Sequence, residues 1–417
     1  MPSLIKQYLM ITSTYWVFTI TDGALRMLVI LFFHQLGYNA LDIALLFLFY
    51  EFFGVVTNLI GGWLGAKIGL NRTMHLGVLL QIIALAMLTV DNSLLGIAYV
   101  MFAQALSGIA KDLNKMSAKS SIKFLLPKES QQGRLYHWVA FLTGSKNALK
   151  GAGFFIGALL LSLFGFQESM MIMMAMLIII LIIGLIFLTQ DIGKSQSKPK
   201  FKELFSKSRA INILSAARLF LFASRDVWFV VAIPVYFQSV LNWEHTEVGA
   251  FMAIWVIGYG IVQALAPKLT HLNKKEIKSI PSGKTALFWA SLLIIFPLII
   301  ALQLYFHLFN FQWLTSSGIT TNEVIIVAGL ILFGIVFAIN SSVHSFLILA
   351  YARNDGVSLD VGFYYMANAA GRLVGTILSG SVYVWFGLEA CLLISSAFLA
   401  LTAIISMALP HPHSKTS

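Results

Sequence analysis

The amino-acid sequence predicts an all-α integral membrane protein, with twelve transmembrane helices in two pseudo-symmetric six-helix bundles and both termini in the cytoplasm. Apolar residues make up 59% of the 417 residues and charged residues only 11%, whereas a soluble protein carries about a quarter charged residues. Runs of about 20 apolar residues recur, and each is long enough to cross roughly 30 Å of hydrocarbon as a helix. A membrane β-barrel would instead show alternating segments of about ten residues.

The predicted spans follow the apolar runs in chain order. They lie near residues 8–34, 40–66, 74–91, 94–113, 133–164, 168–189, 211–239, 246–268, 285–307, 322–351, 359–386 and 388–409. The first run is too long for a cleavable signal peptide and holds Asp22 and Arg26, so we interpret it as a permanent span.

The connections between spans alternate in charge. The basic connections contain Lys67, Arg72, Lys115, Lys119, Lys123, Lys128, Arg134, the lysines of 191–209, Lys268, Lys274, Lys275, Lys278 and Arg353. The intervening connections contain acids such as Asp42, Asp91, Glu168, Glu244, Glu323 and Glu389. This pattern predicts that the basic connections and both termini face the cytoplasm. It also explains the net charge of +11 without a nucleic-acid partner.

The sequence consists of two halves of one repeat. We predict an N-terminal six-helix bundle at 1–190, a solvated cytoplasmic linker at 191–210 and a C-terminal six-helix bundle at 211–417. The aligned pairs are Lys150 with Arg372, Gly153 with Gly375, Gly165 with Gly387, Asp42 with Glu247 and, with a one-residue adjustment, Asp22 with Asp226. Two six-span halves related along the membrane normal are the pattern of the major facilitator superfamily.

A partial signature of that superfamily lies between spans 2 and 3, in "GGWLGAKIGLNR" (61–72). The candidate gating residues are Gly62, Lys67, Gly69 and Arg72. Ala66 stands where an aspartate is expected. Since that aspartate normally helps to latch the cytoplasmic ends of the halves, we expect a different gating contact here.

Six basic side chains lie deep inside predicted spans: Arg26, Lys146, Lys150, Arg218, Arg225 and Arg372. The acidic residues at comparable depth are Asp22, Glu51 and Asp226. A charge near the bilayer centre costs about 2.5–3.5 kcal/mol on insertion scales, so such residues face a wet cavity or a partner charge. All nine fall in spans 1, 2, 5, 7 and 11, which line the central cavity in a major facilitator fold. The excess of positive charge predicts an anionic cargo.

The candidate substrate-binding residues are Arg26, Lys146, Lys150, Arg225 and Arg372. Lys146 and Lys150 are four residues apart, so they project from one helix face. Arg372 lies on the equivalent face of span 11, and a phosphate-like group could accept its bidentate fork together with a lysine point charge. For Lys150 and Arg372 a structural ion pair is the alternative.

Asp22, Glu51 and Asp226 are candidates for proton coupling or for charge balance. An intrahelical ion pair of Asp22 with Arg26 is one interpretation, and proton coupling through Asp22 is the other. Glu51 lies among aromatic residues, which suits a proton carrier, although a pair with Lys146 or Lys150 is equally compatible with the sequence.

The remaining polar residues favour less specific interpretations. The position of Arg218 favours a snorkelling or entrance residue, and that of Lys111 with Asp112 favours an interfacial ion pair or a gate. The position of His344 favours hydrogen bonding within the bundle over metal binding.

Cys391 is the only cysteine, so disulfides within the chain and multi-thiolate metal sites are excluded. The tetrad at 282–285 resembles the end of a P-loop but lacks the earlier glycine, which favours secondary transport over direct use of ATP.

Several long strings resemble the ArsJ-type organoarsenical efflux permeases. They include "YWVFTITDGALRMLV" (15–29), "LFLFYEFFGVVTNLIGGWLGAKIGLNRTM" (46–74), "ALSGIAKDLNKMSAKSSIK" (105–123), "GSKNALKG" (144–151), "KSRAINILSAARLFLFASRDVWFVVAIPVY" (207–236) and "WVIGYGIVQALAP" (255–267). The resemblance runs from about residue 7 to the end and is dense through residue 270.

This resemblance implies a bacterial inner-membrane exporter that acts in arsenate resistance. The implied cargo is 1-arseno-3-phosphoglycerate, which forms when a glyceraldehyde-3-phosphate dehydrogenase uses arsenate instead of phosphate. The residues fit this chemistry independently, since a pentavalent arsenate is a hard oxyanion that suits arginine and lysine, whereas trivalent arsenite prefers thiolates.

The sequence thus predicts a secondary exporter of a small doubly anionic organoarsenical, with proton antiport as the default coupling. The membrane potential, which pushes anions outward, is the alternative driving force. An exchanger of phosphate esters is the next interpretation, and a drug/proton antiporter or a non-transporting anion sensor ranks lower.

We expect a monomer without cofactor or catalytic residues, and only a functional partnership with the dehydrogenase. One cargo end is assigned to Lys146 and Lys150, the other to Arg225 and Arg372.

Overall fold

The computed structural model describes residues 4–38, 46–125, 132–188, 192–194, 208–243, 245–270, 281–311, 320–353 and 356–410. Most of the predicted linker 191–210 lies outside these residues. So do several charged positions of the predicted connections, namely Asp42, Lys128, Glu244, Lys274, Lys275 and Lys278.

The described chain is built from helices. In chain order they are α1 Leu4–Gln35, α2 Leu48–Ile68, α3 Leu70–Met87, α4 Ile97–Leu125, α5 Gln132–Phe164, α6 Phe166–Phe187, α7 Arg209–Phe229, α8 Ala232–Ser239, α9 His245–Thr270, α10 Gly283–Phe306, α11 Thr321–Tyr351 and α12 Val357–Ser406. Polar caps begin some of them: the Ser208 hydroxyl accepts a hydrogen bond from the Ile211 amide, and Ser282 and Thr285 form a capping box at α10.

Nine helical stretches within the described residues are long and apolar enough to cross a membrane. They are Lys6–Phe33, Leu70–Met87, Tyr136–Phe164, Phe166–Phe187, Arg209–Ser239, Ala250–Thr270, Gly283–Phe306, Thr321–Tyr351 and Val357–Ser406. The long helices α2 and α4 are not among them, because polar and charged side chains interrupt their apolar sequence. The all-helical fold is confirmed; the number of twelve spans and the side of the termini stay predictions.

Two glycines paired by the repeat have the same unusual backbone. Gly165 separates α5 from α6 with φ 83° and ψ −178°, and Gly387 interrupts α12 with φ 78° and ψ −177°. A positive φ suits glycine, which has no Cβ. Gly387 therefore divides α12 at the boundary between the two spans predicted for that region.

The chain packs as two compact units. The first contains Met1–Lys207 and Ile348–Met366, and the second contains Ser208–Leu347 and Ala367–Ser417. Packing therefore unites the end of α11 and the start of α12 with the first unit, whereas the repeat places them in the second half. The division into two six-helix bundles, at 1–190 and 211–417, stays a prediction that rests on the sequence repeat.

Each unit has its own apolar core, and α6 shows a broad exposed apolar face. Aromatic residues such as Phe33 and Phe166 pack in the first core, and Trp228, Phe333 and Phe337 pack in the second. On α6, Ile179, Ile186 and other large apolar residues are more than half exposed. Such a face suits contact with lipid.

Candidate functional site

A buried polar cluster in the first unit joins α1, α2 and α5. Asp22 is 5% exposed; it accepts a hydrogen bond from the Tyr50 hydroxyl at 2.6 Å. The Lys150 Nζ lies 3.8 Å from the other carboxylate oxygen of Asp22. The sequence is compatible with either cargo binding or an ion pair for Lys150, and the structure places this lysine in contact with Asp22 on the neighbouring helix.

The contact between α1 and α5 depends on glycines at the helix crossing. A Cβ added to Gly153 would lie 2.6 Å from the Ile20 carbonyl oxygen, and one added to Gly23 would lie 2.7 Å from the Lys150 carbonyl oxygen. Both distances are shorter than van der Waals contact, so the two backbones touch only because both residues are glycines. This close approach brings Lys150 within reach of Asp22.

A change of Gly153 to alanine should therefore weaken the first unit. We expect a loss of about 1–3 kcal/mol of stability, the usual range for an overpacked core. The measurement is the thermal unfolding temperature of the detergent-solubilised protein. Gly258→Ala is the control, because a Cβ there meets nothing within 4 Å. Equal unfolding temperatures for the two variants would contradict the close crossing.

Arg26 pairs with Glu51 rather than within its own helix. The Arg26 Nη2 lies 3.5 Å from Glu51 Oε1, and the guanidinium lies over the rings of Phe47 and Tyr50 at 4.9 and 5.5 Å from their centroids. Of the interpretations open for Asp22, the intrahelical pair with Arg26 is therefore wrong for this structure. Glu51 therefore contacts Arg26, and its pairing with Lys146 or Lys150 stays a hypothesis.

Lys146 lies one turn before Lys150 and is half-buried. Its Nζ donates a hydrogen bond to Asn147 Oδ1 at 3.3 Å. The indole of Trp16 donates to the Ser145 hydroxyl at 2.9 Å and fixes this turn of α5 against α1. The two lysines therefore share one side of α5, as their spacing predicts.

The second unit contains a corresponding cluster on α7 and α12. Asp226 is fully buried, and its two carboxylate oxygens contact Arg225 and Arg372. The Arg372 Nε lies 3.2 Å from Asp226 Oδ2, and the Arg372 side chain is 36% exposed. One carboxylate thus lies between two guanidinium groups, and the triad carries a net positive charge.

The two units have the same ion pair at positions equated by the repeat. Lys150 contacts Asp22 in the first unit, and Arg372 contacts Asp226 in the second. The glycine beside each cation also makes the close crossing, because a Cβ on Gly375 would lie 2.8 Å from the Ala223 carbonyl oxygen. The matching geometry supports the alignment that the sequence suggests.

Arg218 is buried in the second unit and does not snorkel. It is 3% exposed, and it donates hydrogen bonds to Asn368 Oδ1 at 2.8 Å and to the carbonyl and hydroxyl oxygens of Ser341. Its guanidinium lies 4.0 Å from the ring centroid of Phe222. The interpretation of Arg218 as a peripheral entrance residue is therefore wrong.

A stripe of four lysines on α4 is the feature that sequence reasoning missed. Lys111, Lys115, Lys119 and Lys123 follow one another at four-residue spacing. The charge pattern places the last three in a basic connection, but α4 continues to Leu125 and Lys119 is only 6% exposed. The i, i+4 repeat of a single residue type is the available signal, because it places all four lysines along one side of a helix.

The gating motif packs against the start of α12 within the first unit. Gly69 has φ 96° and joins α2 to α3, while Lys67 lies 4.6 Å from the Trp63 ring centroid and Arg72 is exposed. A Cβ on Gly62 would lie 2.5 Å from the Ser358 carbonyl oxygen.

Ala66, at the position of the expected aspartate, is fully buried and packs in one apolar cluster with Leu359. An apolar contact therefore stands where the superfamily signature has a carboxylate. This agrees with the expectation that the gating contact differs here.

Comparison with known proteins agrees with this architecture. Solved structures of similar fold include the E. coli fucose:proton symporter FucP (12% identity, 98% of this chain and 100% of that chain, TM-score 0.73). A second is the human organic anion transporter MFSD10 (TETRAN) (13% identity, 96% of this chain and 99% of that chain, TM-score 0.70). A third is an outward-facing bacterial homologue of the iron transporter ferroportin (14% identity, 96% of this chain and 98% of that chain, TM-score 0.72).

No curated protein matches the sequence closely. The model of the Major Facilitator Superfamily matches residues 11–348, most of the chain. The protein is therefore a multi-pass membrane transporter of a family whose members are typically not enzymes, and the chain belongs to the Major Facilitator Superfamily.

Proposed function

We propose that the protein exports a small organic anion carrying hard oxyanion groups, and that this anion is the organoarsenical 1-arseno-3-phosphoglycerate. The observation that carries the proposal is the triad in which one buried carboxylate, Asp226, contacts both Arg225 and Arg372. Two guanidinium groups around one carboxylate leave a positive charge, and the partial exposure of Arg372 makes that charge accessible to a ligand.

The first unit supplies a second cationic group for a cargo with two anionic ends. Lys146 and Lys150 lie on one side of α5, and Asp22 is the acid in contact with Lys150. An arsenate or a phosphate oxygen accepts hydrogen bonds from arginine and lysine in the same way. The hypothesis drawn from the sequence, that one end of the cargo binds Lys146 and Lys150 and the other binds Arg225 and Arg372, stays a prediction. A structure of similar fold is that of the human organic anion transporter MFSD10.

Coupling is proposed to pass through the two equivalent acids. Asp22 and Asp226 each neutralise a cation of the proposed site, so protonation of either acid would release that cation for the cargo. The inside-negative membrane potential also drives an anion outward. Arg26 and Glu51 neutralise each other, and we assign this pair to charge balance beside the site.

Transport by inverted membrane vesicles tests the proposal. The organoarsenical is generated enzymatically from arsenate by the dehydrogenase, and arsenic inside the vesicles is measured by mass spectrometry. We expect wild-type vesicles to accumulate arsenic well above vesicles that lack the protein. Absence of accumulation would overturn the proposed substrate. Imposing a pH gradient and a membrane potential separately then identifies the driving force.

Exchange of phosphate esters is the second candidate, because the cationic groups do not distinguish phosphate from arsenate. Vesicles preloaded with unlabelled 3-phosphoglycerate distinguish the two. An exchanger takes up labelled 3-phosphoglycerate only when preloaded, whereas the proposed exporter accumulates the organoarsenical without preloading. The bacterial inner membrane and the functional link to the dehydrogenase are part of the proposal for export.

A further inference from the structure

The four lysines of α4 form a continuous line of positive charge inside the first unit. An α-helix rises about 1.5 Å per residue, so Lys111 and Lys123 are about 18 Å apart along the axis. Like charges four residues apart destabilise an isolated helix. The four lysines therefore lower the stability of α4 as a helix. A functional role of the stripe would explain why lysine is nevertheless repeated along this side.

The inner end of this lysine stripe meets the cluster around Asp22. The Lys111 Nζ lies 3.7 Å from the centroid of the Tyr50 ring, and the Tyr50 hydroxyl donates to Asp22, which contacts Lys150. A chain of contacts thus leads from the stripe to the proposed substrate site. Lys111 also lies 3.9 Å from Asp112, which contacts Lys115 in addition.

The middle of the stripe is held by an aromatic ring. The Lys119 Nζ donates a hydrogen bond to the Tyr365 hydroxyl at 2.7 Å, and Lys115 and Lys119 lie 5.0 and 4.7 Å from the centroid of the same ring. A cation over a ring is stabilised by the ring quadrupole and keeps its full charge. The ring contacts position both ammonium groups without adding a negative charge; the carboxylate in contact with Lys115 is Asp112.

The outer end of the stripe is Lys123, which donates a hydrogen bond to the Ala352 carbonyl oxygen. Burial lowers the pKa of Lys123 to about 8, while Asp360 acts in the opposite direction. A lysine with this pKa is mostly protonated at neutral pH. The outer end of the stripe therefore carries charge at neutral pH, with Asp360 as a nearby acid.

We propose that the lysine stripe of α4 is the anion entry route, along which an oxyanion passes from Lys123 through Lys119 and Lys115 to Lys111 and then to Lys150. This inference rests on the proposed export of an anion and on the predicted cytoplasmic position of the Lys123 end. As the oxyanion passes, it replaces a carbonyl contact of Lys123, aromatic contacts of Lys119 and Lys115, and the Asp112 contacts of Lys115 and Lys111. The spacing of about 6 Å per lysine lets a phosphate-sized group reach the next cation before it leaves the last.

Neutralising the middle of the stripe tests this inference. We expect the double variant Lys115→Gln with Lys119→Gln to raise the KM for organoarsenical uptake by inverted vesicles at least tenfold, with a smaller change in maximal rate. The arginine double variant, Lys115→Arg with Lys119→Arg, keeps both charges and should restore most of the uptake. Lys284→Gln is the matched control, because Lys284 is exposed at the start of α10, in the second unit.

Salt dependence separates an entry route from a purely structural role. Steering by a line of charge weakens as ionic strength rises, so wild-type uptake at low substrate concentration should fall with added salt, and the glutamine double variant should show a much flatter dependence. If the glutamine double variant kept the KM and the salt dependence of the wild type, the inference would be overturned. A loss of uptake in both the glutamine and arginine variants would also overturn it, because charge would then not be the property that matters. In either case wild-type uptake shows that the proposed function itself stands.

Discussion

Replacing Asp226 by asparagine is expected to cause the largest loss of stability of any single change in the buried clusters. The carboxylate is fully buried between Arg225 and Arg372, and its removal leaves two like charges side by side. Loss of one partner from a buried ion pair costs about 3–5 kcal/mol. The expected result is a sharp fall in the thermal unfolding temperature and in the amount of folded protein in the membrane.

A second substitution makes this prediction specific. Arg372→Gln in the Asp226→Asn background removes one of the two like charges, so the double variant should recover much of the lost stability. A double-mutant cycle on the unfolding temperature measures this coupling. Additive losses from the two substitutions would show that the triad does not act as a unit. Ser381→Ala is a control on the same helix, because Ser381 is exposed.

Neutralising Lys150 is expected to cause the largest loss of transport. A hydrogen bond to a charged group is worth about 1.5–3 kcal/mol, which corresponds to roughly 10–150-fold in transport efficiency. Lys150→Gln should therefore reduce kcat/KM for organoarsenical uptake by about that factor, and Lys150→Arg should retain a substantial part of it.

The double variant Lys150→Gln with Asp22→Asn separates cargo binding from charge balance. If Lys150 binds the cargo, restoring neutrality recovers folding but leaves uptake as low as in the single variant. Recovered uptake would mean that Lys150 only balances Asp22, and the site assignment would be wrong. The equivalent pair, Arg372→Gln with Asp226→Asn, should behave in the same way in the second unit if the repeat is functional.

The composition of the buried clusters can be predicted because charge inside an apolar helix is rare and costly. That cost singles out Asp22, Lys150, Asp226 and Arg372 from the sequence alone. The repeat alignment goes further, since it equates positions that form the same ion pair in each unit. Gly165 and Gly387 are equated in the same way, and both have a positive φ.

The choice of partners cannot be predicted from spacing. Arg26 is four residues from Asp22, yet it contacts Glu51 on α2, while Asp22 contacts Lys150 on α5. Several partners are compatible with the sequence, because residues on neighbouring helices compete with residues one turn away. The helix crossing at Gly23 and Gly153, which the sequence does not show, is what brings Lys150 to Asp22.

Burial of the basic residues near the ends of helices is hard to predict for a related reason. A lysine or arginine near a predicted span boundary is equally compatible with a topology signal and with a buried functional group. The sequence favours peripheral positions for Arg218 and Lys119, but they are 3% and 6% exposed. Ser341 and Tyr365, which accept their hydrogen bonds, are 123 and 246 residues away in sequence.

The sequence by itself therefore determined the all-helical fold class and the candidate charges within the spans, because these follow from composition, periodicity and the cost of charge in hydrocarbon; the anionic cargo stays a prediction. The tertiary structure alone decided which charges form pairs, that one carboxylate lies between two arginines, and that the lysines of α4 face the interior. Those features depend on contacts between helices far apart in sequence, and local pattern carries no information about such contacts.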